Sequence, residues 1–193
     1  MRYAKTAILF LASALPFTAM AAAERFTIDP DHSYPYFRIS HLGFSTMQGR
    51  FNKTQGKLEI DRENGTGSVE VVIDANSVDT AHKKRDDHLR SPDFLNAVEF
   101  PEITYKSTRV TIHDDGSADV EGTLTLMGIS KPVALKVSRF NCGIHPMDPK
   151  KKKYVCGFDA SAHIKRSDFG MDFALPAIGD DMALIFAVEA VRD

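Results

Sequence analysis

The chain has 193 residues, 24 Lys+Arg against 26 Asp+Glu, a formal net charge of −2, and 43% hydrophobic residues. A slightly acidic balance excludes nucleic acid as a partner, because such partners need a basic face. Beyond an N-terminal leader, roughly 170 residues remain, enough for one domain with a real core.

The leader is read from its layout. Arg2 and Lys5 form a short basic region, Ala7 to Leu15 an apolar run, Pro16 a break, and Ala19 to Ala23 a set of small residues. The run is too short to span a bilayer, which takes ~20 apolar residues. The pattern predicts a cleaved secretory signal over residues 1–23 and a mature domain over residues 24–193; an uncleaved anchor is the alternative. No cysteine follows the run, so a lipoprotein is not expected. Cleavage removes two basic residues and no acidic one, leaving 22 against 26, a net charge of −4.

Two-residue alternation dominates the rest. Phe37, Ile39 and His41 form one face of a strand, and Val69, Val71 and Ile73 another. Thr80 to Leu89 reads as a helix capped by Asp79 or Thr80. Ser91 to Leu95 reads as a second short helix, with Pro92 at its first position and Phe100-Pro101 ending the excursion. Ala118, Val120, Gly122, Leu124 and Leu126 then alternate with Asp119, Glu121, Thr123 and Thr125, a strand with one wet face. Tyr154, Cys156, Phe158, Ala160, Ala162 and Ile164 repeat the pattern. Met182 to Val188 is apolar on both faces, as in a doubly covered strand. Asn64-Gly65, Asp114-Asp115-Gly116 and Ser130-Lys131-Pro132 supply hairpin turns. About eight such strands predict an antiparallel meander that closes into a barrel, with a two-sheet sandwich as the alternative.

Cys142 and Cys156 are the two cysteines. In an exported chain an even count suggests a disulfide, here around a loop rich in lysine; a metal pair is the weaker reading. The seven histidines include no H-x-x-x-H or H-x-H grouping, and His82 and His88 do not stack on one helical face. There is no G-x-S-x-G, P-loop or dinucleotide fingerprint. No cofactor and no catalytic residue are therefore expected. Thirteen Phe and no Trp are more informative. Phe37, Phe44, Met47, Phe51, Phe94, Phe100, Phe158, Phe169, Met171 and Phe173 fall near strand ends or in the helical insert. Their spread suits an elongated apolar pocket, and ordinary core is the competing account.

Asp31-His32-Ser33, His41-Leu42-Gly43-Phe44-Ser45 and Gly49-Arg50-Phe51 stand in order along the chain. So do Arg85 to Phe94, Phe100-Pro101-Glu102-Ile103, Gly122 to Gly128, Lys131-Pro132-Val133, Cys156-Gly157-Phe158 and Arg166 to Met171. Together they resemble the YceI family across the whole mature chain. The resemblance implies an all-β fold, an extended lipocalin-like eight-stranded antiparallel β-barrel with a short helical insert. It implies a periplasmic protein that holds an isoprenoid lipid, of the quinone or isoprenyl phosphate type, in a hydrophobic channel. With the alternation, it places Phe37, Phe44, Leu89, Phe94, Leu124 and Phe158 on the channel wall, with Leu126 beside them. His41, Asp86, His88 and Arg166 become head-group candidates. Transient contact with a membrane or membrane redox proteins, and a homodimer, stay open. So do a lipid-modifying enzyme and a stress-response interaction module with an incidental cavity. Pro35 departs from the aromatic or valine common in the family, and predicts an edge or bulge near the channel mouth.

Overall fold

The computed structural model describes residues 23–193; the expected signal segment lies outside the described residues. Eleven strands form one sheet: β1 (Glu24–Ile28), β2 (Tyr34–His41), β3 (Ser45–Phe51), β4 (Thr54–Asp61), β5 (Thr66–Asp74), β6 (Val78–Asp79), β7 (Glu102–Ile112), β8 (Ala118–Leu126), β9 (Ile129–Ile144), β10 (Tyr154–Lys165) and β11 (Ile178–Arg192). All pairings are antiparallel, and β11 returns to pair with β1, closing the sheet. The first six strands make three bent staves. β2 continues β1 alongside β11, β4 continues β3, and β6 continues β5 through a 3-10 turn at Ala75–Ser77. Three bent and five continuous staves give an eight-stranded barrel, so the sandwich alternative does not apply.

Strand parity sorts the side chains as the alternation predicts. On β8, Ala118, Val120, Leu124 and Leu126 are buried, whereas Glu121 is exposed. On β4, Thr54, Leu58 and Ile60 point inward, whereas Gln55, Lys57 and Glu59 are exposed. Two glycines let aromatic rings lie flat on the inner wall. A Cβ on Gly49 would stand 2.3 Å from the Phe37 ring, and one on Gly122 2.5 Å from Tyr105. Each ring covers the backbone its neighbour leaves bare.

Several local expectations are corrected. The helix is α1 (Lys83–Leu89), not Thr80 to Leu89, and His82 Nδ1 caps it by accepting from the Arg85 N–H. Ala81 has a left-handed φ of 59°, which no helix continues through. Asp79 instead accepts from the Ala81 N–H, ahead of the helix. Ser91 to Leu95 is a chain of turns closed by the Phe94 and Asn96 N–H groups on the Ser91 carbonyl. Met182 to Val188 is not covered on both faces. Its outward Ala187 is exposed and Ile185 only partly buried, while Leu184 and Phe186 face the interior. Pro35 is the second residue of β2, opposite Phe186 of β11, and the β3 ladder begins one residue later at Tyr36. Its missing N–H is therefore not demanded there, and it lies in mid-barrel rather than at a mouth.

Cys142 and Cys156 are directly opposite on β9 and β10 and form the disulfide, with Cα atoms 4.0 Å apart.

Candidate functional site: a two-lobed apolar channel

The barrel has two unlike ends. One carries the start of β1, the C-terminus, the β4–β5 and β7–β8 turns and the lysine-rich β9–β10 loop. It is plugged by Phe26, Cys156 and Ala190, each fully buried. Arg62 lies over the Phe140 ring at 5.3 Å and Arg192 over the Tyr154 ring at 4.5 Å, and Arg192 pairs with Glu24 at 2.8 Å. Cations on ring faces close this end with the plug beneath them.

The other end carries the β2–β3 turn, the insert between β6 and β7, the β8–β9 turn and the β10–β11 link. Here His88, Phe94 and Phe173 meet edge to face, with ring centroids 5.0 to 5.5 Å apart. The remaining side of His88 faces Asp93, Nε2 to Oδ2 2.8 Å. Phe173 is only partly covered, and Phe44, at 90% exposure, and Val98 stand in solvent on the same end with Leu42 and Ile129.

Between the ends run two apolar cavities of about 120 Å³ each. The first lies toward the plugged end, walled by residues of β1, β2, β4, β5 and β7 to β11; the second lies under the insert. Pro35, Ile73, Leu124, Leu184 and Phe186 border both, so the lobes meet at a shared waist.

The sequence-derived residues divide clearly against this geometry. Phe37, Phe51, Leu89, Phe94, Leu126, Arg166 and Met171 border the second lobe, Phe158 the first, and Leu124 both. Phe169 is packed in the core behind the wall. Met47 and Phe44 line neither lobe, and Phe44 projects from the β2–β3 turn because Leu42 and Gly43 both take positive φ. His41 ends β2, opposite Ser45.

Two head-group candidates are occupied by the chain itself. Arg166, 1% exposed, donates through Nε to Gly179 O at 2.8 Å and through Nη1 to Met171 O at 2.7 Å. Its Nη2 donates to Phe173 O and Ile178 O at 2.9 and 3.0 Å. Desolvation pulls its pKa down from the usual guanidinium range, against the opposing fields of Asp180 and Asp172. Its chemistry is to hold the β10–β11 link over the second lobe. Asp86, also buried, accepts from the Thr80 N–H at 2.8 Å and the Thr80 hydroxyl at 2.5 Å, tying the insert to β6.

Sequence reasoning missed part of the wall of the first lobe. Tyr105 and Val110 on β7, and Val133, Leu135 and Val137 on β9, all face it. Alternation in both stretches was available as the signal: Ile103 and Tyr105, then Val133, Leu135 and Val137. Tyr105 satisfies its phenol by donating to Val133 O at 2.9 Å, with Val120 O at 3.3 Å. Burial, with Glu121 nearby, pushes its pKa up to about 12. Among the described residues no cluster of three or more His, Cys, Asp or Glu could hold a metal ion.

Comparison with known proteins agrees with this architecture. The sequence profile of the YceI-like domain matches residues 26–190. A UPF0312 protein of Pseudomonas aeruginosa (strain LESB58) is 41% identical over 189 residues, covering 96% of each chain. The crystal structure of a Campylobacter jejuni YceI protein superposes with a TM-score of 0.65 at 28% identity, over 80% of this chain and 90% of that one. A polyisoprenoid binding domain from Saccharophagus degradans, implicated in plant cell wall breakdown, gives a TM-score of 0.62 at 18% identity, over 87% and 98%. That last likeness is one of fold. With the domain profile spanning nearly every described residue, this chain belongs to the YceI family.

Proposed function

We propose that the protein binds and carries a polyisoprenoid lipid in the periplasm, with the tail threaded through both lobes. The observation that carries this reading is the two-lobed apolar channel inside a closed barrel. A polyprenyl tail offers only hydrocarbon, and each buried CH₂ is worth about 0.8 kcal/mol before ordering costs. Lobes joined at a narrow waist suit a long, flexible chain better than a compact ligand. The polyisoprenoid-binding neighbour of the same fold supports the ligand class. A carrier role, rather than lipid-modifying catalysis, fits walls that are almost wholly hydrocarbon. The exposed Leu42, Phe44, Val98, Ile129 and Phe173 gather at the end nearer the second lobe. They suit transient contact with a membrane, from which so insoluble a ligand must come.

The test is extraction of protein purified from the periplasm, followed by mass spectrometry. A prenyl lipid at near-stoichiometric amount is expected. Leu124→Trp fills the waist that both lobes share. In solid core such overpacking costs ~1–3 kcal/mol. In an open channel it displaces the tail instead, so the folded variant should carry little lipid. Wild-type protein free of prenyl lipid, or full lipid content in folded Leu124→Trp, overturns the carrier reading.

A further inference from the structure

The tip of the β9–β10 hairpin, residues 145–153, is an ordered loop built around Asp148. The Asp148 carboxylate accepts the Lys150 N–H at 3.1 Å through Oδ1. Through Oδ2 it accepts the Lys152 and Lys153 N–H groups at 2.6 and 2.7 Å. The His145 N–H closes the base of the loop on Lys153 O at 2.8 Å, with the Cys142–Cys156 bridge beneath it. The one acid of the loop is thus committed to the backbone, while the lysines are not. Lys150, Lys151 and Lys152 are exposed and, among the described residues, pair with no carboxylate; Lys153 reaches Asp29 at 3.6 Å. Lys151 holds a left-handed φ of 51°, where glycine or asparagine is less strained than lysine. Beside the charges stand apolar side chains left uncovered. Met147 is 82% exposed and Ile144 47%, and Pro146 and Pro149 are exposed with them. Acids of the neighbouring turns and strand ends are engaged by their own chain, Asp61 with Asn64, Asp115 with Ser117 and Glu24 with Arg192. A loop that only turned the chain would need neither a run of mutually repelling charges nor an exposed methionine.

We propose that this hairpin tip is a docking surface for an anionic lipid bilayer. Met147, with Ile144 behind it, enters the headgroup boundary, and Lys150, Lys151 and Lys152 pair with the surrounding lipid phosphates. The composition chooses a bilayer over an acidic protein. Apolar and basic groups share one short loop, as they do in segments that sit at a membrane interface. Protein interfaces are depleted in lysine and enriched in arginine, and this run has four lysines and no arginine. The attraction is local, because the chain as a whole carries a net charge of −2. It therefore also orients the molecule, plugged end toward the bilayer. The inference stands apart from the carrier reading. Hairpin and open rim lie at opposite ends, so a barrel docked in this way turns its open end toward whatever faces that bilayer.

Partitioning is measured by flotation with vesicles of phosphatidylethanolamine and phosphatidylglycerol, and with vesicles of phosphatidylcholine alone. Wild-type protein should prefer the anionic vesicles, and the preference should vanish at ~1 M salt, where charges are screened within about 3 Å. The triple variant Lys150→Gln, Lys151→Gln, Lys152→Gln should lose about tenfold or more in anionic partitioning, each lysine near such a surface being worth about fivefold. Met147→Ser should weaken it several-fold and keep the salt dependence. Neither variant should move the Tm by more than about a degree, since all four side chains are exposed. Phe44→Ser with Val98→Ser should leave the salt-sensitive part intact, which separates this contact from the open rim. Equal anionic partitioning of wild type and the triple variant overturns the proposal, as does a wild type without preference for the anionic vesicles. Tighter binding to soluble poly-L-glutamate than to the vesicles, untouched by Met147→Ser, overturns the bilayer and assigns the hairpin to an acidic protein. Prenyl lipid content, read by extraction, tests the carrier reading separately and does not enter these outcomes.

Discussion

Tyr105 shows how one side chain serves wall and scaffold together. Its ring lies over Gly122 and lines the first lobe, while its hydroxyl bridges to the β9 backbone at Val133. A raised phenol pKa has a definite consequence for stability. Below pH ~10 folded and unfolded chains both keep this proton. Between that pH and about 12, the unfolded chain releases it while the folded protein retains it. The unfolded state then binds fewer protons, so stability falls as pH rises through this window. Tyr105→Phe should flatten that alkaline loss, measured as the urea midpoint from pH 9 to 11. At neutral pH the same change should cost about 1 kcal/mol, for the hydrogen bond given up. An unchanged alkaline slope would mean that other groups set it. Arg166 teaches a related lesson. A buried arginine bordering an apolar cavity suggests anion binding, yet its fork is spent on four carbonyls of its own chain.

Among elements, the β9–β10 hairpin and the insert do opposite jobs at opposite ends. The hairpin closes the plugged end, and its disulfide joins residues separated by 14 positions. Closing a loop of this size is worth ~3 kcal/mol in the chain-entropy model. Cys142→Ser with Cys156→Ser should lower unfolding stability by about that amount while far-UV circular dichroism stays that of a barrel. Loss of the fold would show that the plug depends on the bridge. The insert is short of regular structure for a physical reason. α1 has seven residues, too few to be stable alone, and is held by side chains such as Asp86 and Arg90 reaching β6 and its neighbours.

At the scale of the whole molecule, the carrier reading gives the two unlike ends a direction of loading. Cation-capped rings and a buried plug close one end, where Ile144 and Met147 are exposed on the hairpin; at the other, Leu42, Phe44, Val98, Ile129 and Phe173 are exposed around the second lobe. Phe44 at 90% exposure and Val98 at 93% contribute nothing to the core. Replacing both with serine should leave Tm within a degree or two, because exposed changes away from special features cost little. The same double variant should float less with liposomes and should exchange prenyl lipid with them more slowly. Undiminished exchange would place entry elsewhere.

Local patterning determined a great deal. Period-two alternation in Ala118 to Leu126 and in Tyr154 to Ile164, with turns such as Asn64-Gly65, set the all-β antiparallel fold, because side-chain direction in a strand is a local property. The order of short motifs set the family, and the even cysteine count, taken with the expected leader, pointed to the disulfide. Tertiary structure alone decided the rest. Closure of β11 onto β1 depends on twist and on bends accumulated over the whole sheet. The waist at Pro35, Ile73, Leu124, Leu184 and Phe186 unites four distant strands, and no local period marks it. Whether a charged residue meets a ligand or its own backbone is also non-local: Arg166 and Asp86 read alike as head-group candidates until their partners were in view.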